Sequence, residues 1–306
     1  MYGMFDLIYE CMCIAKATEC DFRAVGADEI TTFKGGGTAC VFYPKDEESF
    51  INVYRVLAKE IEKPFILGGG SDTVIADGLC RVPIISTAGL NSIKIKDGKA
   101  YAGAGARLGD VTRAFRKKNL GGFEFLCGVP LTVGGAVRMN ASAFDNETAS
   151  YIEEIRVLTP NGAKSAENAD FSIETVNAKK LDFGYRDGFD GIVLSAVLKA
   201  DKIDAEESKA LAKKYLASRA KKQPKYPSCG SVFKNGADYS SGKLIDDCGL
   251  KGVKLGGAQI SEMHGNFIVN RGGASATDFM SLVRLAEYCV YAKFGVRLQR
   301  EFIYLK

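Results

Sequence analysis

An α+β fold in two domains is predicted by three features of the sequence. At 306 residues the chain is too long for one small module, on a scale of roughly 100–200 residues per domain. Segments of strand period and of helix period are mixed along the chain to about residue 200, with no run of repeated units. The charge balance then changes: residues 201–306 carry 18 Lys+Arg against 11 Asp+Glu, a net of +7, whereas residues 1–200 have a net of −3. The expected division is therefore a larger domain over 1–200, with its core at about 34–200 behind an N-terminal helix, and a smaller α+β domain over 201–306. Hydrophobic residues at 46% and charged residues at 25% are those of an ordinary globular chain and exclude disorder.

The elements follow in order. Met4, Ile8, Cys11, Met12 and Ala15 are spaced as one face of a first helix. Thr38 to Tyr43 reads as a strand closed by Pro44, and Asp46, Glu47 and Glu48 place acid at the start of a helix to about Ile61. Pro64 to Leu67 is a short apolar strand running into Gly68-Gly69-Gly70. Ser92 to Gly103 alternates about Asp97-Gly98, a strong hairpin signal. Leu108, Val111, Ala114 and Phe115 mark a helix expected to stop at Gly121-Gly122. A second hairpin is expected to turn at Pro160-Asn161-Gly162, with a strand near Ile192 to Leu198. Asp204 to Lys222 is a charged helix ended by Pro224 and the expected connector between domains. Strands are expected at Gly230–Lys234, Ala258–Ser261, Asn266–Asn270 and Val296–Tyr304, with a long helix from Ser275 to about Phe294.

Several function classes are excluded early. A formal charge of +4 is too mild to indicate a nucleic-acid partner. No run approaches the roughly 18 apolar residues of a membrane span, and Asp6 and Glu10 interrupt the apolar start, so neither a signal peptide nor membrane insertion is expected. Nine scattered cysteines, an odd number, read as reduced thiols in a cytoplasmic protein. The one histidine, His264, is expected to stabilise a strand junction. No metal site is expected, because Asp246-Asp247-Cys248 has no matching ligand cluster.

Thirty-four glycines are concentrated in clusters. Leu67-Gly68-Gly69-Gly70-Ser71-Asp72 follows a strand; consecutive side-chain-free amides and a small hydroxyl can wrap a pyrophosphate. It is not a Rossmann fingerprint, since Thr73-Val74-Ile75 reads extended and not helical. Gly103-Ala104-Gly105-Ala106 closes the first hairpin. The third cluster runs from Gly128 through Val129, Pro130, Leu131, Thr132, Val133, Gly134 and Gly135 to Asn140-Ala141, small and nearly uncharged, which suits backbone lying flat against a planar ring. One such cluster alone reads as a tight turn; three within about seventy residues point to a large phosphate-bearing cofactor.

These motifs are similar to those of the UDP-N-acetylenolpyruvoylglucosamine reductase family. The matches run in order: Thr31-Thr32-Phe33, Gly36-Gly37-Thr38-Ala39, the three clusters, Phe183-Gly184-Tyr185-Arg186, Pro227-Ser228-Cys229-Gly230-Ser231-Val232-Phe233-Lys234-Asn235, Ser241-Gly242-Lys243-Leu244-Ile245-Asp246, Gly249-Leu250-Lys251-Gly252 and His264-Gly265-Asn266-Phe267-Ile268-Val269-Asn270. They cover roughly residues 30–302, and the short stretch between 186 and 227 resembles the shorter family subtype. Leu131 and Ser142 stand where the family usually has glycine, Asp72 where it has asparagine, and Gly188 where it has serine; Met263-His264-Gly265 replaces Lys-His-Ala.

The resemblance implies an FAD-binding domain of the PCMH/vanillyl-alcohol-oxidase-like type over 1–200 and a UDP-sugar-binding domain over 201–306. It implies FAD and NADPH as cofactors and an anionic UDP-sugar as substrate, bound by a monomer. FAD is expected on Gly68, Gly69, Gly70, Ser71, Asp72, Gly128, Val129, Pro130, Thr132, Gly134, Gly135 and Asn140. Ser231 matches the family's proton donor, Arg186 the arginine that polarises the substrate carboxylate, and Glu301 the glutamate that assists. Tyr185, Lys222 and Asn235 are the expected substrate contacts, with Tyr226 a further candidate. Without the resemblance, Ser231 reads as a strand-end serine, Arg186 as a surface charge and Glu301 as a strand residue. Two other functions fit the same residues: a flavin oxidase of another alcohol or sugar, and a non-catalytic UDP-sugar- or flavin-binding protein.

Overall fold

The computed structural model describes residues 4–60, 64–160 and 171–306. Its chain divides into two compact units, Met1–Arg23, Val41–Gly69 and Pro83–Ala217 in the first, and Ala24–Cys40, Gly70–Val82 and Ser218–Lys306 in the second. Each unit is assembled from stretches that are separate in sequence. The last strand, Ile303–Leu305, lies parallel to Thr73–Leu79 in register Ile303↔Thr73, which draws an early segment into the second unit.

The first unit contains an antiparallel sheet in the order Phe171–Asn177, Ile152–Pro160, Ile192–Lys199, Lys99–Gly103, Ile93–Lys96. Its last hairpin turns at Asp97-Gly98, both with positive φ (51° and 73°), as a two-residue turn between Lys96 and Lys99 requires. Ile152–Pro160 and Phe171–Asn177 pair up to Pro160↔Phe171; the expected turn at Asn161-Gly162 lies outside the described residues. Phe65–Leu67 runs parallel to Ile84–Ser86.

Helices in this unit are set by local signals. Asp46 Oδ1 accepts from the Ser49 amide (2.8 Å) and hydroxyl (2.7 Å), capping Glu47–Glu60. Asp204 Oδ1 accepts from the amides of Glu206 and Glu207 at the start of Ala205–Lys222, and the boundary between the units falls inside that helix. Two expectations are corrected. In Met4–Ala17 the buried positions are Cys11, Ile14 and Ala15, while Met12 is 55% exposed: its neighbour Cys11 takes the inward place. Leu108–Arg116 buries Leu108, Val111 and Phe115 as expected but ends before Gly121-Gly122, because Leu120–Gly121 pairs as a short strand with Asp201–Lys202.

The second unit packs around the helix Ala276–Phe294, whose Phe279, Leu282 and Val283 meet Phe33, Val74, Phe233 and Ile245. A small antiparallel sheet, Lys254–Leu255, Ala258–Ile260 and Ile268–Asn270, lies in the same unit. Of two strands expected from sequence, one is not formed and the other is shortened. Gly230–Lys234 makes only an isolated bridge, Phe233↔Arg300, and Val296–Tyr304 is reduced to Ile303–Leu305. Side chains, described below, take the place of the missing ladder. Among the described residues no helix is long and apolar enough to cross a membrane.

Two carboxylates hold the N-terminus of the long helix. Ser275 and Asp278 form a reciprocal capping box, and Asp77 accepts from the amides of Ala276 (2.8 Å) and Thr277 (2.9 Å) and from the Thr277 hydroxyl (2.6 Å). Burial pushes the Asp77 carboxyl up, but these three donors together outweigh it and leave the group below its ordinary 3.8. A depressed carboxylate stabilises the fold above its unfolded-state value and loses that contribution as pH falls. Asp77→Ala is therefore expected to lower unfolding stability by about 1 kcal/mol at neutral pH, measured by denaturant titration. The difference from the parent should close as pH falls below 3.8; a difference that persists in acid contradicts the assignment.

Candidate active site

In the first unit the strand Phe65–Leu67 delivers Gly68 and Gly69 against the third glycine cluster. A Cβ on Gly68 would lie 2.6 Å from Thr132 Oγ1, and one on Gly69 would collide with the Pro130 carbonyl oxygen. The two clusters thus meet backbone to backbone. Part of the third cluster is a helix, Val133–Arg138, capped by Thr132 Oγ1 accepting from the Gly135 amide at 3.3 Å. Val133 and Gly134 donate to the carbonyls of Ala106 and Ala104 in the second cluster, at 2.9 and 2.8 Å. Gly134 and Gly135 therefore offer a flat surface and not amide donors. Gly69, Gly128 and Pro130 are exposed and Val129 is half-buried. A side-chain-poor, uncharged wall beside a hydroxyl fits the flat ring and phosphates of FAD.

Also in this unit, Arg186 sits on a tight turn closed by a Gly184↔Asp187 bridge and has φ 54°, the left-handed region uncommon for residues with a Cβ. Asn140 anchors that turn. It is fully buried; its Nδ2 donates to the Gly184 carbonyl (3.0 Å) and to Glu147 Oε2 (3.0 Å), and its Oδ1 accepts from the Ala149 amide (3.0 Å). With both N–H groups used, Asn140 supports Arg186 and does not reach out to a cofactor. Arg186 Nη1 donates to Ser142 Oγ at 2.9 Å, and its guanidinium lies 5.3 Å from the centre of the exposed Tyr185 ring. A Cβ at position 188 would collide with the Val137 carbonyl oxygen, so this backbone accepts only glycine there.

In the second unit three segments far apart in sequence converge. The Glu301 amide donates to the Val232 carbonyl at 2.9 Å, Lys234 donates to the Gln299 carbonyl at 2.8 Å, and Ile303 donates to the Asp72 carbonyl at 2.7 Å. Ser231, Glu301 and Asp72 are thereby held on neighbouring backbone, all half-buried. Asn266 supplies what a strand would have supplied: its Oδ1 accepts from the Phe233 amide (2.9 Å), its Nδ2 donates to the Phe233 carbonyl (2.8 Å), and its own carbonyl accepts from Val232 (2.9 Å). Thr32 Oγ1 ties the loop to the Ser228 carbonyl at 2.7 Å, and its amide donates to Gly70. The Asp72 carboxylate accepts from the Thr73 hydroxyl at 3.3 Å. Beside it the Cys229 thiol is 2% exposed; burial pushes it far up, and the nearby Asp72 and Glu301 carboxylates push it further, so it stays a neutral, inert thiol.

The remaining candidates have mixed placements. Asn235 Oδ1 accepts from the Ser241 amide at 3.0 Å, so only the amide end of this exposed side chain can serve a ligand. Lys222 is exposed at the end of its helix. Tyr226 is exposed under the guanidinium of Arg271, 3.8 Å from the ring centre. His264 Nδ1 accepts from the Asn266 amide at 3.2 Å and the ring packs on Phe267; burial, then Lys251, hold it below its ordinary value, so it supports the strand junction as a neutral group. Asn140 and Ser142 in the first unit, and Thr32 and Asn266 in the second, brace the candidate residues of their own units. Three of them stood in recognisable motifs, but no spacing rule reveals which backbone groups a side chain will serve.

Comparison with known proteins completes the picture. Residues 38–164 match a family model described as FAD binding domain, and residues 223–305 one described as UDP-N-acetylenolpyruvoylglucosamine reductase, C-terminal domain. The UDP-N-acetylenolpyruvoylglucosamine reductase of Oceanobacillus iheyensis is 38% identical over 279 residues, covering 89% of this chain and 87% of the relative. That of Clostridioides difficile is 37% identical, covering 88% of each. The crystal structure of the reductase from Thermus caldophilus superposes with a TM-score of 0.76 at 31% identity, over 94% of this chain and all of that one. With such identity over nearly its whole length, an FAD-binding match in the glycine-rich region and a matching C-terminal domain, the chain belongs to the UDP-N-acetylenolpyruvoylglucosamine reductase family.

Proposed function

We propose that the protein is an NADPH-dependent flavoenzyme that reduces UDP-N-acetylglucosamine enolpyruvate to UDP-N-acetylmuramate, a step of peptidoglycan precursor synthesis. Residues 1–200 serve as the FAD-binding domain and 201–306 as the UDP-sugar-binding domain; the family matches at 38–164 and 223–305 support this assignment. The proposal extends to a cytoplasmic monomer with no nucleic-acid partner. Gly68, Gly69, Gly128, Val129, Pro130 and Thr132 would hold FAD, which when bound would supply the hydride that NADPH provides.

The chain's own residues handle the charge that hydride addition creates. Addition at the terminal vinyl carbon leaves a carbanion beside the substrate carboxylate, and that carbon needs a proton. Ser231 donates it. A serine hydroxyl is a weak acid, yet against an enolate-like carbanion it is adequate, and no histidine relay is needed. Arg186 spreads the developing negative charge by hydrogen-bonding the carboxylate, a task for which a planar fork of donors suits better than a point charge. Glu301 assists proton delivery. Lys222, Tyr185 and the Asn235 amide serve the nucleotide and sugar portions, and the net +7 of residues 201–306 favours an anionic substrate.

The observation that carries the reading is the backbone junction of Val232 with Glu301 and of Phe233 with Arg300, which joins two segments about seventy residues apart at Glu301 and immediately beside Ser231. In Ser231→Ala, flavin reduction by NADPH should proceed at the parent rate in an anaerobic stopped-flow trace. Reoxidation by the enolpyruvyl UDP-sugar should slow by about a hundredfold or more. Equal loss in both half-reactions refutes Ser231 as the proton donor. Raising ionic strength from about 0.05 to about 0.5 M should raise KM for the UDP-sugar, since the electrostatic attraction is screened; an unchanged KM removes the role given to the basic half.

A further inference from the structure

We infer that Ser142 is a positioning residue for the reaction, fixing the guanidinium of Arg186 through its hydroxyl. This rests on the role proposed for Arg186 above and assigns that group its support. The contact is specific: Arg186 Nη1 donates to Ser142 Oγ at 2.9 Å and to the Ser142 carbonyl oxygen at 3.3 Å. The two atoms belong to one residue, so displacing Ser142 moves both acceptors together.

The support is itself braced. Ser142–Ala143 forms a short antiparallel pair with Asn146–Glu147, in register Glu147↔Ser142. Glu147 Oε2 accepts from Asn140 Nδ2, and the same nitrogen donates to the Gly184 carbonyl that closes the turn carrying Arg186. The chain of bonds is closed: Ser142 to Arg186 through the guanidinium, Arg186 to Gly184 along the backbone, Gly184 to Asn140 to Glu147, and Glu147 back to Ser142 across the strand pair. Arg186 is thus held at both ends, its backbone in the left-handed region at φ 54° and its guanidinium at Nη1. Backbone strain of this kind persists only where surrounding contacts over-determine it. A guanidinium is planar, so fixing one nitrogen and the plane of its stem sets the direction of its other N–H groups. Ser142 thereby converts a long, flexible cation into an oriented one, the condition for bidentate contact with a carboxylate.

The test uses the flavin-loaded enzyme in anaerobic stopped-flow, with Ser142→Ala, Ser142→Thr, Arg186→Lys and the double variant Ser142→Ala/Arg186→Lys. Ser142→Ala is expected to slow reoxidation by the enolpyruvyl UDP-sugar about tenfold, the worth of one hydrogen bond to a charged group. Flavin reduction by NADPH should be unchanged, which also reports a folded, loaded protein. Ser142→Thr, which keeps the hydroxyl, should recover most of the loss. In the Arg186→Lys background, Ser142→Ala should cost little more, because the group it positions is gone. Parent-like reoxidation in Ser142→Ala, or the same tenfold loss with and without Arg186, overturns the inference while leaving the role of Arg186 intact. Parent-like reoxidation in Arg186→Lys overturns the role of Arg186, and the inference falls with it.

Discussion

A buried peptide group must find a hydrogen-bond partner, and beside both candidate segments, the turn of Arg186 and the loop of Ser231, regular strand pairing does not satisfy every such group. Two carboxamides do so instead. Asn140 bonds the turn that bears Arg186, and Asn266 bonds both polar groups of Phe233, two residues after Ser231. A carboxamide carries a donor and an acceptor in the arrangement of a peptide, so it can continue a ladder for a single step. Asn140 is fully buried and Asn266 is 4% exposed, which makes these bonds expensive to break, because an unmatched peptide group would be left without water. Arg186 and Ser231 thus sit on irregular backbone that is nonetheless held by buried hydrogen bonds.

The glycine clusters answer the same constraint in a different way. Where the first meets the third, side chains are absent because backbone must approach backbone, as the collision of a Cβ at Gly69 with Pro130 makes plain. The amides of Val133 and Gly134 are consumed by carbonyls of the second cluster, so the three clusters form one packed body. The result is a smooth, uncharged wall suited to a planar ring. Polar recognition is left to flanking groups such as Thr132. Charge is concentrated elsewhere, in the second unit, where Asp72 and Glu301 lie near the buried thiol of Cys229.

Several signals confined to a few neighbouring residues were read correctly. Asp97-Gly98 produced its hairpin, the acid at 46–48 and Ser275 stood at the starts of their helices, and Thr73-Val74-Ile75 continued as a strand where a Rossmann fold would have had a helix. Readings that depended on a partner went astray. Val296–Tyr304 has the composition of a strand, but only Ile303–Leu305 finds an edge to pair with, along Thr73–Leu79. Gly230–Lys234 was expected to be a strand and is stitched by Asn266 instead. Met12 is as apolar as its neighbours yet faces solvent, because the helix face that packs is chosen by what lies beneath it.

The order of residues thus carried the fold class, the local turns, the FAD-type glycine clusters and, by resemblance, the family. Those properties depend on backbone preference and on motifs within a short stretch of chain. The hydrogen bonds of Asn140, Ser142, Asn266 and Thr32 were decided only on folding, as was the weaving of an early segment into the later unit. Each of these depends on hydrogen bonds between groups separated in sequence, and such a bond has no local signature. A buried asparagine reveals its task only when the peptide it satisfies has been brought beside it.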